Sequence, residues 1–174
     1  MKVIVLTGPE SAGKSRLAEA LSNEFSGHLV SEYVREYIDL IQRDTRSDDI
    51  PLIARQQLQR EDAARLQAPE LLILDTNLLS NLLWSQTLFG RAPDWLEAEL
   101  LRRHYDLYLL LSPQGMPWVN DGQRCQPQLS DRQQFYHACH TWLERHQQPV
   151  TALGGVWTQR QFQALTEVER LLAR

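Results

Sequence analysis

Apolar residues fall along this chain in two patterns that alternate: short continuous runs and helical periods. Residues 2–7 form an unbroken, β-branched apolar run, the pattern of a strand covered on both faces within a parallel sheet. From Lys14 the spacing of Leu17, Ala18, Ala20 and Leu21 predicts a helix with one apolar face. Gly27 punctuates it, and residues 28–31 read as a second strand. Tyr33, Val34, Tyr37, Ile38 and Ile41 return to helical spacing from Glu32 to about Leu40. A polar break at residues 44–49 leads into a long helical stretch, 50–67, with Pro51 in its first turn, where no N–H is needed. Residues 70–75 are a third apolar run, ending in the carboxylate of Asp75. Helices are predicted over 77–89, closed by Gly90, and over 93–103, with a fourth strand at 105–111. Residues 131–146 read as a helix, 150–153 as a short last strand and 158–172 as a closing amphipathic helix.

Strands alternating with helices predict a three-layer α/β fold around a mostly parallel five-stranded sheet. One segment fits neither pattern. Residues 112–130 hold Pro113, Pro117 and Pro127 and no apolar period, and long irregular segments in compact domains tend to carry function. The expectation is one domain over residues 1–174, with a lid-like segment at about 112–130.

The decisive motif lies between the first strand and the first helix. Gly8, Pro9, Glu10, Ser11, Ala12, Gly13, Lys14 and Ser15 match G-x-x-x-x-G-K-[ST], the phosphate-binding loop. The glycines let the backbone curl so that successive N–H groups converge on one anion, and the helix N-terminus adds partial positive charge. Lys14 then reaches the β- and γ-phosphates of a nucleoside triphosphate, and Ser15 is a ligand for Mg²⁺. Asp75, at the end of a strand, is the natural metal carboxylate; it is equally placed to cap the helix that follows.

Composition narrows the class. The net charge of −4 argues against a broad nucleic-acid footprint, and no apolar stretch is long enough to span a membrane. Cys125 and Cys139 are the only cysteines, so no disulfide framework is implied, and a cytoplasmic location is expected. His137, Cys139 and His140 do not share one helix face and find no distant partner pair, which argues against zinc. The base-reading Asn-Lys-x-Asp of switch GTPases is absent. A small chain with a phosphate loop and an arginine in a late Pro/Gly-rich segment suits a small-molecule kinase with a lid.

Four blocks together resemble the ribosylnicotinamide kinase domain of the bacterial NadR family. They are residues 7–15, Ser31-Glu32-Tyr33-Val34-Arg35-Glu36-Tyr37, Leu74-Asp75-Thr76, and Pro117-Trp118-Val119-Asn120-Asp121-Gly122-Gln123-Arg124. The second and fourth blocks are much more specific than the phosphate loop. The resemblance covers nearly the whole chain. It implies a stand-alone kinase module, a fold like that of thymidylate kinase, and transfer of the γ-phosphate of ATP to the 5′-hydroxyl of nicotinamide riboside. Two departures stand out. Asn77 replaces the last residue of the family's Asp-Thr-Asp, and residues 112–116 look slightly longer than usual.

The residues then take candidate roles. Glu32 is one candidate for the carboxylate that orients the acceptor hydroxyl and takes its proton, and Asp75 is its rival. Arg35, one turn after Glu32, anchors the acceptor or a phosphate, or else pairs with Glu32 or Glu36. One of Tyr33 and Tyr37 lines the acceptor pocket while the other packs in the core. Trp118 and Asp121 suit a cationic pyridinium ring by cation–π and Coulomb attraction, and Trp118 equally suits pinning its segment to the core. Arg124 and Arg132 are the candidate arginines for the transferring phosphate. Trp84, at helical spacing from Asn77 and Leu88, reads as a core residue. Kinases for other nucleosides or small alcohols, and a non-catalytic nucleotide-binding module, remain open.

Overall fold

The computed structural model describes residues 1–173. Strands β1 (Lys2–Thr7), β2 (His28–Val30), β3 (Leu71–Asp75), β4 (Leu107–Leu111) and β5 (Val150–Leu153) form one all-parallel sheet in the order β2-β3-β1-β4-β5. The connecting helices are α1 (Lys14–Phe25), α2 (Tyr33–Ile41), α3 (Ile50–Leu66), α4 (Leu78–Phe89), α5 (Asp94–Leu101) and α6 (Leu129–Arg145), and α7 (Trp157–Leu172) closes the chain. A 3₁₀ turn, Ser47–Asp49, runs straight into α3.

The three central strands are apolar at successive positions because helices cover both faces of the sheet. Val3, Val5, Leu72, Leu74, Tyr108 and Leu110 point to one side, where α3, α4, α5 and α6 supply Ala54, Leu79, Leu100 and Phe135. Ile4, Leu6, Ile73 and Leu109 point to the other, against Leu17 and Leu21 of α1 and Ala164 and Val168 of α7. Among the described residues, no helix is long and apolar enough to cross a membrane.

The topology creates the site. The chain leaves central β1 for edge strand β2, returns to β3, then crosses to β4 on the far side of β1. Ligands in such sheets bind where the strand order reverses, beyond the carboxyl ends of the strands. The register sets Leu6 against Asp75 and Thr7 against Leu110, so the loop after β1 and the end of β3 emerge side by side.

The differences from the sequence reading are local. α6 starts at Leu129 rather than Asp131, which shortens the irregular segment to residues 112–128 and moves Arg132 deeper into the first turn. Ala20 is only half-buried, off the packed stripe of α1. Arg160, in a helix that reads as amphipathic, is fully buried. It donates to the carbonyls of Gly155 (2.8 Å), Ser112 (2.5 Å) and Gln114 (2.6 Å), and so ties the loops after β4 and β5 together.

Candidate active site

The loop from Gly8 to Ser15 is shaped by backbone conformations that only some residues tolerate. Gly8 has φ +127°, and a Cβ there would lie 2.6 Å from the Leu111 carbonyl oxygen. Gly13 has φ +91° and stands at the N-terminus of α1, where a Cβ would meet the Trp157 ring at 3.1 Å. Ser11 adopts φ +56°, an uncommon conformation for a residue with a side chain, stored here at the phosphate loop. Lys14 Nζ donates to the Pro9 carbonyl at 2.9 Å, which holds the ammonium over the loop it serves.

Asp75 is buried beside Lys14 and Ser15, and its Oδ1 has no hydrogen-bond partner. Burial pushes its pKa up; Lys14 and the Ser15 hydroxyl pull against that. A hydroxyl and a carboxylate with a free oxygen are the hard donors a magnesium ion takes when phosphates and water complete its shell. The donor set therefore fits Mg²⁺. The capping role falls elsewhere: Asn77 Oδ1 accepts from Leu79 N at 3.1 Å, and its Nδ2 donates to the Tyr108 hydroxyl at 3.0 Å. The residue that departs from the family pattern is thus committed to capping α4 and tying it to β4.

Glu32 precedes α2 but does not cap it; its side chain turns toward the loop instead. Its oxygens lie 3.4 Å from Arg35 Nε and 3.5 Å from Thr76 Oγ1. Burial raises its pKa, Lys14 lowers it and Asp75 raises it again, so the net direction is upward. Two carboxylates held together by one lysine and one arginine can ionise in sequence, which suits a proton acceptor next to a metal-binding acid.

A cavity of about 330 Å³ opens between α2, α4 and the irregular segment. That volume suits a small-molecule ligand. Glu10, Lys14, Glu32, Arg35, Asp44 and Arg124 supply its charge, Ser80 and Asn81 further polar groups, and Ile38, Ile53, Trp84, Leu88 and Phe89 its apolar wall. Trp84 stacks on Phe135 with ring centroids 4.4 Å apart, so one aromatic side chain serves both core and cavity.

Several expected residues lie elsewhere. Tyr33 does not line the cavity. The helical phase that sends Glu32, Val34, Arg35 and Ile38 into the cavity sends Tyr33 toward α3, where the Arg60 guanidinium lies 4.6 Å over its ring. Tyr37 donates to Asp49 at 2.8 Å. Trp118 also lies outside the lining, and its indole N–H donates to Glu10 at 2.8 Å, which pins the segment down. Asp121 forms no wall of the cavity either, but holds two residues that do. It accepts from Arg35 Nη1 at 2.7 Å and pairs with Arg124 Nε at 3.2 Å. Arg35 therefore lines the cavity and pairs with Glu32 and Asp121 at once, while Glu36 pairs with Arg60 at 2.6 Å. Arg132 is buried outside the cavity and donates to the Met116 carbonyl at 3.2 Å; its Nε has no hydrogen-bond partner.

Comparison with known proteins places this geometry. A family model described as "AAA domain" matches residues 3–160. The chain belongs to that P-loop family. It is homologous to the trifunctional NAD biosynthesis/regulator protein NadR. The protein from Escherichia coli is 28% identical over 152 residues, which cover 84% of this chain and 36% of the relative. That from Salmonella typhimurium is 29% identical over 139 residues, covering 78% and 34%. The chain thus spans about a third of the length of these curated relatives. Among solved structures, a NadR protein in complex with NR superposes with a TM-score of 0.82 at 20% identity, over 99% of this chain and 52% of that one. The thymidylate kinase of Ehrlichia chaffeensis superposes with a TM-score of 0.66 at 12% identity, covering 98% of each chain. A deoxyadenosine kinase from M. mycoides also gives 0.66 and 12%, covering 97% of this chain and 99% of that one. The fold is that of the P-loop kinases.

Phe89 and Asn81 escaped the sequence reading, and Trp84 was read as core alone, because α4 is apolar nearly all round and its spacing does not say which residues border a cavity. Glu10 was read only as a phosphate-loop residue; its side-chain contacts to the irregular segment carry no signal in a motif that leaves that position free.

Proposed function

We propose that this protein transfers the γ-phosphate of ATP to the 5′-hydroxyl of nicotinamide riboside, with Mg²⁺ as its metal. The observation that carries the reading is the cavity itself. It shares Lys14 with the phosphate loop, presents Glu32 at that same end, and is walled by aromatic and aliphatic side chains of α2 and α4. A nucleoside entering it sets its hydroxyl beside the carboxylate and its base against Trp84 and Phe89. The similarity to NadR, one structure of which is a complex with NR, supports nicotinamide riboside as the acceptor.

The roles follow from charge and position. The N–H groups of residues 8–15 and Lys14 hold the phosphates. Ser15 and Asp75 hold the metal, which when bound draws charge from the phosphate oxygens. Glu32 orients the acceptor hydroxyl and accepts its proton; Arg35 keeps that carboxylate in place. Arg124, in the cavity, and Arg132, a buried guanidinium with an unpartnered N–H, meet the charge on the transferring group. A face of Trp84 attracts the pyridinium cation. Residues 112–128 act as the lid.

A panel of acceptors with ATP and Mg²⁺, followed by ADP release, tests the reading. Nicotinamide riboside should stimulate release far above the level without acceptor. Stimulation by another nucleoside alone would reassign the acceptor, and release indifferent to every acceptor would make the chain a nucleotide-binding module.

A further inference from the structure

Glu10 is an unexpected residue in a phosphate loop. A carboxylate among N–H groups that converge on an anion repels that anion. Yet Glu10 is only 8% exposed and both its oxygens are engaged. Oε1 accepts from Trp118 Nε1 at 2.8 Å and from Gln126 N at 2.6 Å, and Oε2 accepts from Cys125 N at 3.2 Å. Its neighbour Ser11 accepts from Val119 N at 3.2 Å. In all four contacts the loop accepts and the irregular segment donates. The other side of the segment is tied to α2, by Asp121 to Arg35 at 2.7 Å and by Gln123 Nε2 to Asp39 at 2.6 Å. The cavity roof, made of Gln123, Arg124 and Cys125, hangs between these two anchors.

We propose that Glu10 is a positioning residue that latches the roof of the acceptor cavity onto the phosphate loop, so that the nucleotide and acceptor sites are set as one unit. The proposal rests on the reading of the cavity as the acceptor site. It explains the placement of the carboxylate: what the loop loses in phosphate attraction it gains in control of Arg124 and the roof. The sign of the effect is distinctive. Removing a negative charge from the loop leaves nucleotide affinity intact or improves it, while the acceptor site loosens.

Glu10→Gln keeps the shape but turns one acceptor oxygen into a donor facing an N–H. Trp118→Phe keeps the carboxylate and removes a single donor. Hydrogen exchange over residues 118–126, affinity for a non-hydrolysable ATP analogue, and KM and kcat for the acceptor are compared with wild type. In Glu10→Gln, exchange at Cys125 and Gln126 should rise about tenfold with β1 and β3 unchanged, and acceptor KM should rise about tenfold, the scale of one lost charge-assisted hydrogen bond. Analogue affinity should hold or tighten. Trp118→Phe should move both quantities the same way by less, and decides the matter if Glu10→Gln does not fold. Unchanged exchange in both variants would overturn the latch. So would weakened nucleotide affinity with acceptor KM unmoved, which would assign Glu10 to the nucleotide alone. If wild type phosphorylates no nucleoside, the functional reading fails, and exchange with analogue affinity still decides the latch.

Discussion

Replacing Glu32 with glutamine tests the proposed division of labour between half-buried Glu32 and buried Asp75. The substitution preserves size and an oxygen facing Arg35 but removes the charge and the proposed proton acceptor. Phosphoryl transfer is mostly positioning and charge neutralisation, so the effect belongs at the lower end of the general-base range, about 100-fold in kcat. That corresponds to about 2.7 kcal/mol of lost transition-state stabilisation. KM for ATP should stay within about threefold, because the loop and Lys14 are untouched. The pH dependence sharpens the test. Burial raises the Glu32 pKa above its ordinary value of 4.5, so the acid limb of wild-type kcat/KM lies above that value, with activity lost as pH falls through it. Glu32→Gln should lose this limb, and Asp75→Asn should keep it. Stability moves the opposite way. A carboxyl whose pKa rises on folding adds stability while protonated, fully so below pH 4.5, and that contribution fades as pH rises through the raised value. Glu32→Gln should therefore raise Tm at pH 8 and leave it nearly unchanged at pH 4. Steady-state kinetics across pH and thermal melts at both pH values provide the measurements. A kcat within about threefold of wild type, or an acid limb lost in Asp75→Asn and kept in Glu32→Gln, would refute the assignment.

Three further outcomes follow from the same geometry. Asn77→Ala removes both the cap of α4 and the donor to Tyr108, and should cost about 2–3 kcal/mol in urea unfolding. Arg160→Met leaves the carbonyls of Ser112, Gln114 and Gly155 without their buried donor; a loss of about 3 kcal/mol is expected, and a loss under about 1 kcal/mol would show that water replaces it. Chelation with EDTA should abolish turnover and added Mg²⁺ restore it, while Asp75→Asn should raise the Mg²⁺ concentration for half-maximal rate at least tenfold.

The layers of the fold were legible because buried parallel strands and one-sided helices write different apolar periods. Residues 2–7 and 70–75 read as strands from those runs alone, and the loop between the first strand and helix followed from its spacing. The site was legible only in part. A periodicity assigns a residue to a helix face, not to the cavity that face borders, so Trp84 reads as core although it also walls the cavity. Trp118 had two readings open to it, a ligand contact or a pin for its segment, and the sequence could not choose because the partner of its indole N–H, Glu10, lies 108 residues away. Tyr33 was lost to the phase of α2, which a single residue of offset at its start decides. The burial of Arg160 was not legible in the amphipathic period of residues 158–172, because nothing local reveals that two loops turn three carbonyls toward it.

The proposed reaction passes phosphate from ATP to the 5′-hydroxyl of nicotinamide riboside. The most direct test is to incubate the protein with both compounds and Mg²⁺ and identify the product by mass and by ³¹P NMR. A single 5′-phosphomonoester of nicotinamide riboside and equimolar ADP are expected, both absent with Lys14→Ala. Unphosphorylated nicotinamide riboside after ATP is consumed, phosphate on another hydroxyl, or full activity in Lys14→Ala would contradict it.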